Sequence, residues 1–283
     1  MASRNPKPAP QTNREYLEVA VSVAEAAGPI ALRYFRSAID VEDKSGGVAF
    51  DPVTRADKEI ESQMRADLER RFPDHGILGE EQAERRSDSA YRWVIDPIDG
   101  TRAFISGVPA WGILLGLTVE EKCVVGVMHQ PYLRETFLGN NSEAWIRRDG
   151  KEKPLKTSTT RELGSAILYS THPSMFEGDT DLDAFERVAD ETRMMRFGGD
   201  CYSYCLLAHG LIDLVIEDSL NPYDIIPLIP IIQGAGGIVT DWRGGPASGG
   251  GRIIAAANAE LHAKALEILN AQPLARSSKE NSS

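Results

Sequence analysis

Apolar positions recur along this chain with two periods, and the switches between them outline its elements. From Asn13 to Phe35, Leu17, Val21, Ala24, Gly28 and Ala31 fall on one stripe at helical spacing, which predicts a long amphipathic helix with Asn13 as its N-cap. The stretch "TRADKEIESQMRADLERRF" repeats that spacing through Ile60, Met64 and Leu68 and ends at Pro73, a second helix beside the first. The period then falls to two. "YRWVIDPID" reads as a buried strand that stops at its proline, and "WGILLGLTVEEKCVVGVMHQPYLRETFLGN" reads as strands joined by polar turns, with a hairpin at "VEEK".

Past residue 145 the two periods alternate. "SAILYST" reads as a strand, "DLDAFERVADE" as a helix, "MMRFGG" as a short strand, "CYSYCLLAHG" as a helix and "IDLVIED" as a strand. "DIIPLIPIIQGAGG" reads as a helix ending in glycines, and "GIVTDW" and "RIIAAAN" as further strands. The economical reading is an α/β chain of helices layered with mixed sheets, in two halves, 13–145 and 146–274. Polar tails are expected at 1–12 and 275–283.

Composition narrows the class. A chain of 283 residues with 42% apolar and 26% charged residues has the make-up of a globular enzyme. Its formal charge of −11, with no run of lysines and arginines, argues against nucleic acid or an anionic membrane as partner. No apolar stretch is long enough to span a bilayer and the N-terminus has no apolar secretory core, so a cytoplasmic location is expected. Cys123, Cys201 and Cys205 show no paired spacing of a zinc site or disulfide framework and read as reduced thiols. The five histidines are scattered, without metal-ligand spacing.

The chemistry concentrates in "WVIDPIDGTRAF". Asp96 and Asp99 follow directly on a buried strand, where carboxylates are costly to desolvate unless a cation pairs with them. Pro97 fixes the backbone so that both aspartates and the Ile98 carbonyl can face one point, and such oxygens are the ligands of hard divalent cations. Gly100 permits close backbone approach, and "TRAFIS" opens a short helix whose free amides favour an anion. Aspartates capping an ordinary turn would give the same residues. Further acidic pieces shift the balance towards a metal: Glu80 and Glu81 in "ILGEEQ", Asp57 at a helix start in "DPVTRADKEIE", and Asp224 in "NPYDIIP".

Taken together, "GEE", "WVIDPIDGT", the D-P-V-T-x-x-D stretch and an aspartate heading a helix that ends in "GAGG" resemble the inositol monophosphatase family, the magnesium-dependent, lithium-sensitive phosphatases. The likeness runs over about residues 14 to 270, in the expected order. It implies a sandwich of alternating helix and sheet layers, αβαβα, commonly found as a homodimer. It implies two or three Mg2+ held by Glu80, Asp96, Asp99 and Asp224, by the Ile98 carbonyl, and by Asp57 near a further ion. Thr101 matches the hydroxyl that, with Asp57, orients the attacking water; Glu80 belongs to the same catalytic group, and Lys44 matches a lysine of the family's mobile loop. The reaction implied is hydrolysis of a phosphomonoester by water, the phosphate being held at the amides of Gly100 and Thr101. Aspartates three apart, followed at once by glycine and threonine, differ from the D-x-D-x-T of enzymes that form an aspartyl-phosphate.

Two departures mark the branch. Tyr223 precedes Asp224 where inositol phosphatases usually carry tryptophan, and "FGGDCYSYCLLAHG" replaces a neutral stretch. Both resemble the histidinol-phosphate phosphatases of the family, which serve histidine biosynthesis. Asp200, and Glu217 in "LVIEDSL", would then pair with the ammonium and imidazole of L-histidinol phosphate, although Asp200 also suits a helix N-cap. The alternatives are an inositol-1-monophosphatase or broader sugar or nucleotide phosphatase, and a family member acting mainly by binding other proteins.

Overall fold

The computed structural model describes residues 13–37, 41–43 and 52–271. Lys44 lies outside them. The first helix is α1 (Asn13–Tyr34), and its predicted stripe is the buried one: Leu17, Val21, Ala24, Gly28 and Ala31 all face inward. A short antiparallel pair, β1 (Val41–Asp43) and β2 (Pro52–Thr54), leads to α2 (Arg55–Arg71), where Ile60, Met64 and Leu68 are buried.

A seven-stranded sheet follows, built in chain order from β3 (Gly76–Gly79), β4 (Tyr91–Asp99), β5 (Gly112–Val119), β6 (Lys122–Gln130), β7 (Glu135–Gly139), β8 (Ala144–Arg148) and β9 (Lys151–Pro154). The short helix α3 (Thr101–Ser106) sits between β4 and β5. The expected hairpin turns at Glu120 and Glu121, both at positive φ (49° and 66°), the two-residue geometry whose twist suits flanking strands. β9 was not legible as a strand because it is exposed throughout and has no apolar alternation to read.

A five-stranded sheet, in the order β11-β10-β12-β14-β13, forms from β10 (Ile167–Ser170), β11 (Met194–Phe197), β12 (Leu214–Leu220), β13 (Ile238–Asp241) and β14 (Gly251–Ala256). Its helices are α4 (Asp179–Asp190), α5 (Asp200–Ala208), α6 (Pro222–Ile225), α7 (Ile229–Gly234) and α8 (Ala259–Leu269). One helix was expected from Asp224 to the glycines; the structure breaks it into α6, a 3-10 turn at Ile226–Leu228, and α7. Pro227 and Pro230 lack the amides a continuous helix needs there.

Three apolar clusters define the layers. α1 and α2 pack on one face of the seven-stranded sheet through Leu17, Val21, Ile60, Trp93, Ile95 and Leu117. The opposite face, with Leu114, Met128 and Phe137, meets Cys205, Ile225, Leu228 and Ile231 and, beyond them, Val215 and Ile253 of the second sheet. α4 and α8 cover the outer face of that sheet through Phe185, Val188, Leu261 and Ala265. The order is therefore helix, sheet, helix, sheet, helix. All three cysteines are buried and free.

Glycines let the middle layer sit close to the first sheet. Gly116, Gly126 and Gly139 are cross-strand neighbours on β5, β6 and β7. A Cβ on Gly126 would lie 1.8 Å from the Pro227 carbonyl oxygen, and one on Gly139 2.5 Å from that of Pro230. The proline-broken segment thus rests with its backbone against bare sheet, which fixes where Asp224 at its head can stand.

Candidate active site

The strand carrying Asp96 and Asp99 does not stop at Pro97, as its sequence suggested; it runs on to Asp99 through a bulge. Asp96 pairs with Leu114 and Asp99 with Gly112, so three steps on β4 match two on β5. In a regular strand, residues three apart point to opposite faces; one extra residue returns Asp99 to the face of Asp96. The proline sits in the bulge, where its missing N–H breaks no regular ladder. Both aspartates consequently face the middle layer.

Asp224 comes to the same point from α6, its Oδ2 accepting the Asn221 amide at 2.7 Å. One carboxylate oxygen each of Asp96, Asp99 and Asp224 lies within 4.8 Å of the others. Asp96 is buried and its Oδ1 has no hydrogen-bond partner. Asp99 Oδ1 accepts the Cys201 amide at 2.8 Å, tying the start of α5 to the trio. Burial, then the charges of Glu80, Asp99 and Asp224, hold the Asp96 carboxyl far above the usual carboxylate range. Burial raises Asp99 to about 6 against the lowering effect of the Cys201 amide, and burial with the Asp99 charge lifts Asp224 well above its ordinary value. Three converging carboxylates, one with an orphaned buried oxygen, form an all-oxygen donor set that fits a hard divalent cation.

The trio lines a cleft of about 340 Å³. Glu80 lines the same cleft: β3 runs parallel to β4 with Gly79 opposite Ile95, so the next residue leaves the strand beside Asp96. Ile98, Gly100 and Thr101 line it too, with Gly100 at φ 85° and the Thr101 hydroxyl donating to the Ile98 carbonyl at 3.2 Å. A Cβ on Gly100 would meet the Ala110 carbonyl at 3.0 Å, so both conformation and space call for glycine. Asp57 is buried and is not among the residues that line the cleft. Its Oδ2 accepts the Thr54 amide at 2.8 Å and the Thr54 hydroxyl at 2.6 Å, and burial lifts it to about 6.

Asp200 and Glu217 line the same cleft. Asp200 is not the N-cap its sequence suited: Gly199 holds that position, and Asp200 is the first helical residue, at φ 44°. Burial, then the charges of Asp99 and Glu217, push its carboxyl up to about 8, opposed by Arg102. Glu217 is fully buried; it accepts the Thr171 amide at 3.1 Å, the Thr171 hydroxyl at 2.9 Å and the Ser170 hydroxyl at 3.3 Å, and burial lifts it to about 7. Sequence reasoning missed Thr171, Arg102 and Tyr204 as lining residues. Arg102 lies inside the "DGTRAF" motif and was open to notice; Thr171 and Tyr204 carry no local signal.

The site agrees with what the whole chain resembles. A sequence model of the inositol monophosphatase family matches residues 12–274. The chain is 37% identical over 265 residues to a bifunctional phosphatase, IMPL2, of Arabidopsis thaliana chloroplasts, covering 90% of this chain and 75% of that protein. It is 33% identical over 229 residues to the histidinol-phosphatase of Chlorobaculum parvum, covering 81% of this chain and 86% of that one. Among solved structures, an inositol monophosphatase from Zymomonas mobilis superposes with a TM-score of 0.81 at 35% identity, covering 92% of this chain and 99% of the other. No described helix is long and apolar enough to cross a membrane. The five-layer fold, the acidic cleft and a match over nearly the full length place the chain in the inositol monophosphatase family of metal-dependent phosphatases.

Proposed function

We propose that the chain hydrolyses a phosphomonoester whose alcohol part carries a cation, and that this ester is L-histidinol phosphate. The carrying observation is Asp200, a half-buried carboxylate that lines the cleft beside Gly100, within reach of the charges of Asp99 and Glu217, on a residue that caps no helix. Left to itself it holds a proton at neutral pH because of its burial and its acidic neighbours. An ammonium or imidazolium in the cleft would draw out that proton and leave an ion pair; an inositol hydroxyl would not.

Mg2+ held by Asp96, Asp99 and Asp224, with Glu80 and the Ile98 carbonyl beside them, would neutralise phosphate charge and make water more acidic. In this reading the protein's own groups do the positioning. The amides of Gly100 and Thr101 orient a phosphate oxygen, and Glu80 with the Thr101 hydroxyl directs the water. Asp57, held by Thr54, adds negative charge that favours a further cation.

A second reading, an inositol-1-monophosphatase, rests on comparable likeness: 35% identity to the Zymomonas mobilis inositol monophosphatase stands beside 33% and 35% to the histidinol-phosphatases of Chlorobaculum parvum and Mycobacterium tuberculosis. Phosphate release from L-histidinol phosphate, inositol-1-phosphate and a neutral sugar phosphate, with Mg2+ and with or without Li+, separates the two. The expected result is Mg2+-dependent turnover with clear preference for histidinol phosphate; equal or faster turnover of inositol-1-phosphate overturns the substrate assignment.

A further inference from the structure

We infer that Glu61 and Arg65, a buried ion pair on α2, form a clamp whose role is to position Glu80 for a divalent cation. The inference rests on the reading of Glu80 as a ligand and goes beyond it by assigning what sets that ligand's place. Glu61 is fully buried, and Arg65 nearly so. The Glu61 carboxylate accepts the Glu81 amide at 2.7 Å and the Gln82 amide at 3.1 Å. Arg65 donates from Nε to Glu61 at 2.7 Å and from Nη2 to the Gln82 carbonyl at 3.0 Å. The Gln82 side chain adds a bond to the Ser62 hydroxyl at 2.9 Å.

On the other side of Glu80, the chain passes Glu61 in contact. A Cβ on Gly79 would lie 2.2 Å from Glu61 Oε1, so the backbone there is pressed against the carboxylate. Residues 79, 81 and 82 are thus fixed to α2 while residue 80 is left to face the cleft. A buried ion pair is in general no better for stability than apolar residues of like volume. Here its acceptor and donor both go to the backbone of one turn, which apolar residues could not hold. The same helix, capped by Thr54, carries Asp57 about one turn before Glu61, so one rigid rod spaces Asp57 from the Glu80 turn.

Metal binding measured directly, by calorimetric titration of the full chain with MgCl2, tests the clamp alongside phosphate release as a function of Mg2+. Glu61→Gln is expected to raise both the Mg2+ dissociation constant and the half-activating concentration by roughly 10- to 100-fold, the usual effect of losing a group that orients a ligand. KM for the ester at saturating Mg2+ should move by less than about twofold, because the phosphate-facing groups are untouched. Arg65→Lys keeps the charge but loses the fork, and should shift Mg2+ affinity in the same direction by a smaller factor; it decides the matter if Glu61→Gln does not fold. A folded variant that binds Mg2+ as tightly as the wild type overturns the clamp alone. A wild-type chain that binds no Mg2+ overturns the metal reading and the clamp with it.

Discussion

Two strands that line the cleft use the same device for opposite purposes. On β4, one extra residue between Asp96 and Asp99 turns two aspartates to one face. On β12, Glu217 pairs with Ile253 and Leu220 with Gly251, again three steps against two, with Ser219 at φ 60° in the bulge. The β4 carboxylates are crowded together with Asp224, and one buried oxygen has no partner. The Glu217 carboxylate is instead met by three donors from Thr171 and Ser170. A crowded, under-bonded carboxylate cluster stores repulsion that a cation relieves; a carboxylate satisfied by neutral donors holds a loop in place. The first is built for a ligand and the second for shape, with Asp200 between them.

The sharpest break of that comparison is at the trio. Asp99→Asn keeps an oxygen for the Cys201 amide but removes a charge, and should lower kcat by about 10³-fold or more, as losing a metal ligand does. Without metal its melting temperature should rise or hold, since repulsion is relieved; near-normal turnover would refute the metal role. Glu217→Ala should do the reverse. It strands buried donors of Thr171 and Ser170, and thermal or urea unfolding should show a loss of about 2 kcal/mol. Unchanged stability would show that Glu217 is a substrate group rather than a brace.

Asp200→Asn sharpens the substrate end. It should raise KM for histidinol phosphate by about 10-fold, the loss of one charge-assisted contact, and leave KM for a neutral sugar phosphate nearly unchanged. Equal changes on both esters would reduce Asp200 to a structural group.

The smallest effect concerns pH. Asp57 and Asp99 sit near 6 and Glu217 near 7 in the fold, above their ordinary values, chiefly through burial. Between about pH 4 and pH 7 the folded chain therefore holds protons that the unfolded chain releases, and its metal-free stability falls as pH rises through that window. Saturating Mg2+ should raise the melting temperature by several degrees more at pH 8 than at pH 5, as differential scanning fluorimetry would show; an equal rise at both would mean that the ion does not meet these carboxylates.

Much of the site was legible because its residues are clustered in short runs. "DPIDGT" carries Asp96, Asp99, Gly100 and Thr101 within six positions, and the stripe in α1 marked its buried face. Tertiary approach decided the rest. The break at Pro227 and Pro230 and its rest on Gly126 and Gly139 depend on a sheet far away in sequence. The Glu61–Arg65 pair reads in sequence as an ordinary exposed helix pair at spacing four, yet it is buried against the Glu80 turn.

By itself, then, the sequence determined the helical and strand periods, the acidic motif and the family, because these depend on residue type and local spacing. Whether Asp96, Asp99 and Asp224 meet within 4.8 Å, and whether Asp200 caps a helix or faces a cleft, only the tertiary structure decided. Those outcomes turn on a one-residue bulge and on backbone packing against glycine, and a charge gains its chemistry from the neighbours that folding brings to it.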